Sequence, residues 1–227
     1  MKKHEGYTLV EMAVSIAVGL VVILVIYAAV NIGQRSTVNV ERKVAANQDA
    51  RAALQLMSLE IQMASYNPND APSIWRDPAA CTAASVNQNR RGIQAATATA
   101  MTIEMDANDN GAVGGSGNPN EIITYNYDAT NQYITRATNC WTPQPFLGDM
   151  PGDPRAVRVI NTAAVPVFRY YNAQGIEITA AQLPAGIPNI ARVDITVWVE
   201  TEDIDPNSGQ RRKMAYSTSV IPRNHRI

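Results

Sequence analysis

Residues Met12 to Val30 read MAVSIAVGLVVILVIYAAV, with only Ser15 and Gly19 interrupting the apolar side chains. A run this long has few places to go. A bilayer core of about 30 Å is crossed by about 20 helical residues, so the segment can span one. No proline lies between Met1 and Ala64, so nothing removes a helical N–H or forces a kink. Lys2, Lys3 and His4 precede the run and Arg35 follows it. The positive-inside rule then places the short N-terminal end in the cytoplasm and the large remainder outside the membrane.

Composition narrows the function classes. Lys and Arg total 19 against 20 Asp and Glu, a net charge of −1. No basic field draws the chain to nucleic acid, and none is expected as a partner. A length of 227 residues fits one domain plus an appendage. The two histidines, His4 and His225, stand at opposite ends, and the cysteines are Cys81 and Cys140. That is too sparse for a zinc site of His and Cys, and a Ser-His-Asp triad would have to recruit His225. Gly114-Gly115-Ser116-Gly117 opens no helix beside a Lys-Ser/Thr pair, so it reads as a loop and not a phosphate cradle. No catalytic or cofactor-binding residue is assigned, and no cofactor is required.

Beyond the apolar run the helix is expected to continue. Arg35 to Ala64 contains neither proline nor glycine. Ala50, Leu54, Met57, Ile61 and Ala64 recur at spacings of four and three, one face of a helix, with Leu56, Leu59 and Met63 widening it. The stripe covers only about two heptads, too short for a coiled-coil seam, so it predicts packing on a globular head. From Tyr7 to Ala64 such a helix would be about 87 Å long at 1.5 Å per residue. Asn67-Pro68 ends it. Period-two segments follow: Met101, Ile103 and Met105 alternate with Thr102 and Glu104, and Ile123, Tyr125 and Tyr127 with Thr124 and Asn126. Tyr133–Thr138 pairs across a turn, Val165–Tyr171 and Ile176–Thr179 flank Asn172-Ala173-Gln174-Gly175, and Val193–Val199 returns as Met214–Val220. Strands joined by tight turns imply an antiparallel sheet with one face on the helix. The expected class is α+β.

Glu11 stands at the start of the apolar run, where a carboxylate is costly and needs a partner or a role. Its neighbours read Met1-Lys2-Lys3-His4-Glu5-Gly6, then Tyr7-Thr8-Leu9-Val10-Glu11. This resembles the class III signal of type IV prepilins and type II secretion pseudopilins. Gly6 matches the last leader residue, Tyr7 the aromatic first mature residue, usually Phe, and Glu11 the fifth. A secretory signal would instead be cut after the apolar region, behind small residues. The resemblance implies cleavage after Gly6 by a prepilin peptidase, methylation of Tyr7, and retention of the helix. It implies that Glu11 neutralises the N-terminal amine of an adjacent subunit, an attraction strengthened in low dielectric.

In the head, Phe168–Gly175, Asn189–Val197 and Tyr216–Asn224 resemble segments of PilW-type minor pilins, as does the helical stretch Ala52–Tyr66. The J-type minor pseudopilins of type II secretion have a related layout. These resemblances imply a pilin-like fold: leader 1–6, transmembrane half-helix 7–34, periplasmic half-helix 35–66 and β-rich head 67–227. They imply a minor type IV pilin that helps initiate pilus assembly with other minor pilins and the major pilin, at the tip in one arrangement. The location would be the inner membrane and then the pilus. The alternative is a minor pseudopilin of type II secretion.

With both cysteines outside the cytoplasm, a Cys81–Cys140 disulfide is expected; closing a loop of roughly 60 residues contributes about 4 kcal/mol in the chain-entropy model. Asp106, Asn108 and Asn110 place oxygens at alternate residues before Gly111, as at the start of a calcium loop. The twelfth position is Gly117 where a Glu is expected, and the same residues are ordinary turn formers. Arg90-Arg91 and Arg211-Arg212-Lys213 read as solvated surface.

Overall fold

The computed structural model describes residues 8–115, 117–148, 157–202, 204–205 and 208–225, the side chains of Arg35, Val38, Asn39 and Arg42 excepted. The chain divides into two compact units, 1–44 and 45–227. Helix α1 runs from Leu9 to Met63 through both. In the first unit, Leu9–Gln34 is long and apolar enough to cross a membrane, and none of its most apolar window is buried by protein. An all-round apolar surface is what a helix solvated by lipid needs.

In the second unit α1 becomes two-faced. Ala46, Ala50, Ala53, Leu54, Met57, Ile61 and Ala64 are buried, the helical face that the spacing predicts. Four of the seven are alanines, which let the helix axis come close to what it packs on. Leu56, Leu59 and Met63 do not widen this face as expected: they are exposed. Apolar type alone could not tell the two sides apart. The helix ends at Met63, earlier than Asn67-Pro68 required, because Ser65 turns into the left-handed region at φ 67° and gives its N–H to the Glu104 carbonyl at 2.8 Å.

Ten strands follow among the described residues, all paired antiparallel. They form two five-stranded sheets and not one. The first is a meander in chain order: β1 (Ile93–Ala96), β2 (Ala100–Glu104), β3 (Ile122–Asp128), β4 (Tyr133–Thr138) and β5 (Gln144–Gly148). The second centres on the ten-residue β9 (Arg192–Thr201). Its one edge pairs with β10 (Lys213–Val220); its other takes β6 (Val157–Val159) at Val199 and β7 (Phe168–Tyr171) at Ile195. β8 (Glu177–Ile178) completes the β7 hairpin, where Gly175 supplies φ 75°. The β7 N–H of Phe168 bonds Ala98 O at 3.1 Å, and Tyr170 donates its hydroxyl to Thr97 O at 2.8 Å, so the sheets are tied at the β1–β2 turn.

One apolar core joins the helix face to both sheets. A smaller one, of Ile74, Trp75, Cys81, Val113 and Ile122, lies under the loops. Thr102 and Glu104 are buried although alternation predicts an outward face. Thr102 pairs its hydroxyl with that of Thr124 at 2.9 Å, and Glu104 is covered by the segment after the helix. Across the helix–sheet contact, Arg136 donates to Glu60 Oε1 at 2.7 Å and to Oε2 at 3.2 Å, and Tyr125 donates its hydroxyl to Oε2. Two planar N–H groups on one carboxylate fix orientation as well as distance.

The two helix faces differ in what a truncation should cost. Ile61→Ala is expected to lose about 2–5 kcal/mol of stability, by cavity and lost transfer energy. Leu59→Ala should stay within about 0.5 kcal/mol, as at an ordinary surface position. Denaturant titration of the full chain in detergent compares them.

Candidate functional site

The N-terminal candidates are placed unequally. Gly6 and Tyr7 lie outside the described residues. Glu11 sits in the first turn of α1, where it completes a reciprocal cap with Thr8. The Thr8 N–H and hydroxyl each donate to Glu11 Oε2 at 2.9 Å, and the Glu11 N–H donates to Thr8 Oγ1 at 3.3 Å. Helix N-termini leave N–H donors without intrahelical partners, and inside a membrane water cannot supply them. Thr8 and Glu11 answer that need within four residues. The carboxylate also lies at the positive end of the helix dipole. Its other oxygen, Oε1, has no hydrogen-bond partner among the described residues and can meet an incoming cation. Thr8 was not singled out from sequence, yet Thr-x-x-Glu ahead of an apolar run is the signature of such a cap.

In the head, Cys81 and Cys140 are joined, with Cα atoms 5.9 Å apart. The bond links the segment after the helix to the β4–β5 loop. The Asp106–Glu121 loop closes on itself. Asp106 accepts the N–H of Asn110 at 3.1 Å and of Gly111 at 2.8 Å. Asn108 and Asn110 donate side-chain N–H groups to Asn118 Oδ1 at 2.9 and 2.6 Å. Glu121 accepts from Ala107 at 3.0 Å, Asn108 at 3.4 Å and Gly114 at 3.2 Å. The oxygens that would face an ion therefore face loop N–H groups, and no cluster of three or more His, Cys, Asp or Glu side chains suited to a metal occurs among the described residues. Burial raises the Glu121 carboxyl above its usual range against these bonds.

His225 meets a serine after all. Its Nδ1 lies 2.7 Å from Ser65 Oγ and its Nε2 3.0 Å from the Ile187 carbonyl. A carbonyl only accepts, so Nε2 carries the proton and Nδ1 accepts from the Ser65 hydroxyl. Ser65 Oγ in turn accepts the Gly92 N–H at 2.9 Å. A Cβ on Gly92 would stand 2.2 Å from both Glu104 O and Ser65 N, so only glycine allows this approach. Both Ser65 and His225 are buried, and the third partner is a carbonyl where a triad needs a carboxylate. The arrangement pins the C-terminal segment to the end of α1. Burial holds His225 below the usual histidine range, in keeping with this neutral ring.

Beside it, Glu104 accepts the Arg76 N–H on Oε2 at 2.8 Å, while its buried Oε1 has no hydrogen-bond partner among the described residues. Desolvation pushes this carboxyl up to about 8, the Arg76 contacts opposing only part of the shift. The unfolded chain sheds that proton near the ordinary value of 4.5 and the folded chain keeps it. Glu104 therefore favours folding most below that value, and its contribution falls as pH rises towards 8, by at most about 1.4 kcal/mol per unit. Glu104→Gln should flatten the fall between pH 5 and 8 and be the more stable form at pH 8; parallel pH curves would refute this. For the Asp106 loop, calorimetry with millimolar calcium is the direct test. Saturable heat abolished by Asp106→Ala supports the ion that the spacing suggests, and no heat removes it.

The first 27 residues match the family model of the prokaryotic N-terminal methylation motif. No curated protein and no solved structure matches the chain. The matched stretch includes the Thr8–Glu11 cap and most of the apolar span, and over it the chain is similar to type IV prepilins.

Proposed function

We propose that this protein is a minor type IV pilin of the PilW kind. Its work is assembly and not catalysis. A prepilin peptidase cuts after Gly6 and methylates the amine of Tyr7. Residues 7–34 then hold the protein in the inner membrane, with 35–66 and the head 67–227 in the periplasm. It joins other minor pilins and the major pilin to start filament growth, with a place at the tip. The observation that carries this reading is one of register. Gly6, an aromatic Tyr7, Glu11 and the apolar span stand in the register of the prepilin resemblance, within the residues that the methylation motif matches, and one Glu11 oxygen has no hydrogen-bond partner among the described residues.

The proposed role of that oxygen is to pair with the amine of an adjacent subunit. Two opposite charges about 4 Å apart gain about 1 kcal/mol in water and several times that where the effective dielectric falls to about 20. Thr8 orients the carboxylate by holding Oε2. The same motif serves secretion pseudopili, so a minor pseudopilin of type II secretion is the alternative reading.

Gly6→Val is expected to leave an uncleaved precursor, seen as a higher intact mass. A normal mature mass would refute the cut site. Glu11→Ala should be processed normally but recovered at least about tenfold less in sheared filaments, the equivalent of one lost pairing of about 1.4 kcal/mol. A deletion strain separates the machines. Loss of major pilin from the sheared fraction, restored by the wild-type copy, supports the pilus. Intact pili with exoproteins retained in the periplasm support the secretion pseudopilus.

A further inference from the structure

Strand β10 ends the second sheet and pairs with β9 alone. The Thr196 N–H bonds Val167 O at 2.9 Å and the Ile160 N–H bonds Trp198 O at 2.8 Å, so the even-numbered residues of β9 point their main-chain groups away from β10. Its odd-numbered residues bond β10, with Val199 opposite Met214, Val197 opposite Tyr216 and Ile195 opposite Thr218. Bonding alternates along an antiparallel ladder. Lys213, Ala215, Ser217 and Ser219 therefore direct their N–H and C=O groups outward, and these groups have no hydrogen-bond partner among the described residues. Natural sheets shorten, bend or charge such edges, because unpaired main chain invites another strand. The other edges here follow that rule. β1 has four residues and a break in register between Ile93 and Ala95, β5 contains Pro145, and β8 has two residues. β10 runs eight residues in unbroken register, without proline, and Lys213 is its one charge. A groove of about 410 Å³ lies between this edge, at Tyr216–Thr218, and α1. Leu54, Leu59 and Tyr216 give it apolar walls, and Arg51 is its one charged lining residue. Arg211 and Arg212, ahead of the strand, are paired with Glu200, Glu202 and Asp205. Arg51 is exposed and has no ion-pair partner among the described residues.

We propose that the outer edge of β10 is a strand-acceptor site, to which an extended segment of a partner protein adds, carrying a carboxylate among apolar residues. The unpaired main chain selects the conformation of the occupant. An extended chain offers donors and acceptors at the spacing of Lys213, Ala215, Ser217 and Ser219, whereas a helix has already used its own. The groove selects the chemistry. Side chains of a strand alternate in direction, so every second one enters the groove against Leu54, Leu59 and Tyr216, and a carboxylate there meets Arg51. A second copy does not supply that acid, since β10 and the other edges β1 and β5 contain no carboxylate and β8 is too short to span the site. The site lies wholly within residues 45–227 and is independent of what the apolar span and the methylation motif do.

The test uses the full chain in detergent micelles, with amide hydrogen exchange read residue by residue. The probe is a synthetic peptide of alternating valine and threonine with one central valine replaced by glutamate; a control peptide has lysine there. In the free chain the amides of Ala215, Ser217 and Ser219 are expected to exchange at least about a hundredfold faster than those of Met214, Tyr216 and Thr218. The glutamate peptide should slow the first set saturably, by at least about tenfold, and bind at least about threefold more tightly than the lysine peptide. Ser217→Pro removes one outward N–H and leaves the β9 ladder intact; it should abolish the slowing while the head keeps its resistance to protease. Arg51→Glu, at an exposed position, should reverse the order of the two peptides. Amides that exchange alike in the free chain show a covered edge and overturn the proposal, as does the absence of saturable slowing at millimolar peptide. Equal binding of the two peptides overturns the acidic partner. Slowing that needs no peptide and grows with protein concentration would mean a second copy, and overturns it as well.

Discussion

The contact between α1 and the two sheets is the constraint on which the head depends. Ala46, Ala50, Ala53 and Ala64 leave room for the sheets to approach, and Met57 and Ile61 fill what remains. Interiors packed to crystal-like density leave little freedom for such a face to slide. Glu60, gripped by Arg136 and Tyr125, adds direction to that packing. The end of the helix is pinned as firmly: Ser65 gives its N–H to Glu104 and takes the Gly92 N–H, and its hydroxyl reaches His225. The last described residue of the chain is thus held to the point where the helix stops.

One helix therefore has two characters. Its first part has no polar face, the composition that a helix crossing a membrane needs. Its second part divides into a face buried on the head and a face on which Leu56, Leu59 and Met63 are exposed. At its start the only acidic group is neither left bare nor fully spent. Thr8 takes one oxygen into the cap, which satisfies the backbone and sets the carboxylate's direction, and the other oxygen has no hydrogen-bond partner among the described residues. Capping and pairing are compatible because a carboxylate has two oxygens.

Much of this was legible in order along the chain. The apolar run, the Gly6–Tyr7–Glu11 register, the helical spacing of Ala50 to Ala64 and the β9–β10 hairpin are local patterns, set by residues near one another. The Thr8 cap was legible too, in Thr-x-x-Glu, but the carboxylate drew attention to a partner chain before a neighbour. What could not be read is what depends on distant segments. Leu56, Leu59 and Met63 look like core by type, and only the position of the sheets shows them on the outer side. Glu104 looks like the solvent side of a strand until the loop carrying Arg76 covers it. His225, near the chain end, gave no sign of reaching Ser65, 160 positions away.

The sequence by itself determined a membrane-length helix, its continuation, the methylation motif and an antiparallel head, because hydrophobic period and turn chemistry act over a few residues. Only the tertiary structure decided that the head has two sheets, which face of α1 they cover, and which buried acid keeps its proton. Those outcomes follow from which strands exclude water from which side chains. Exclusion of water is a property of the assembled fold, and no short window of residues carries it.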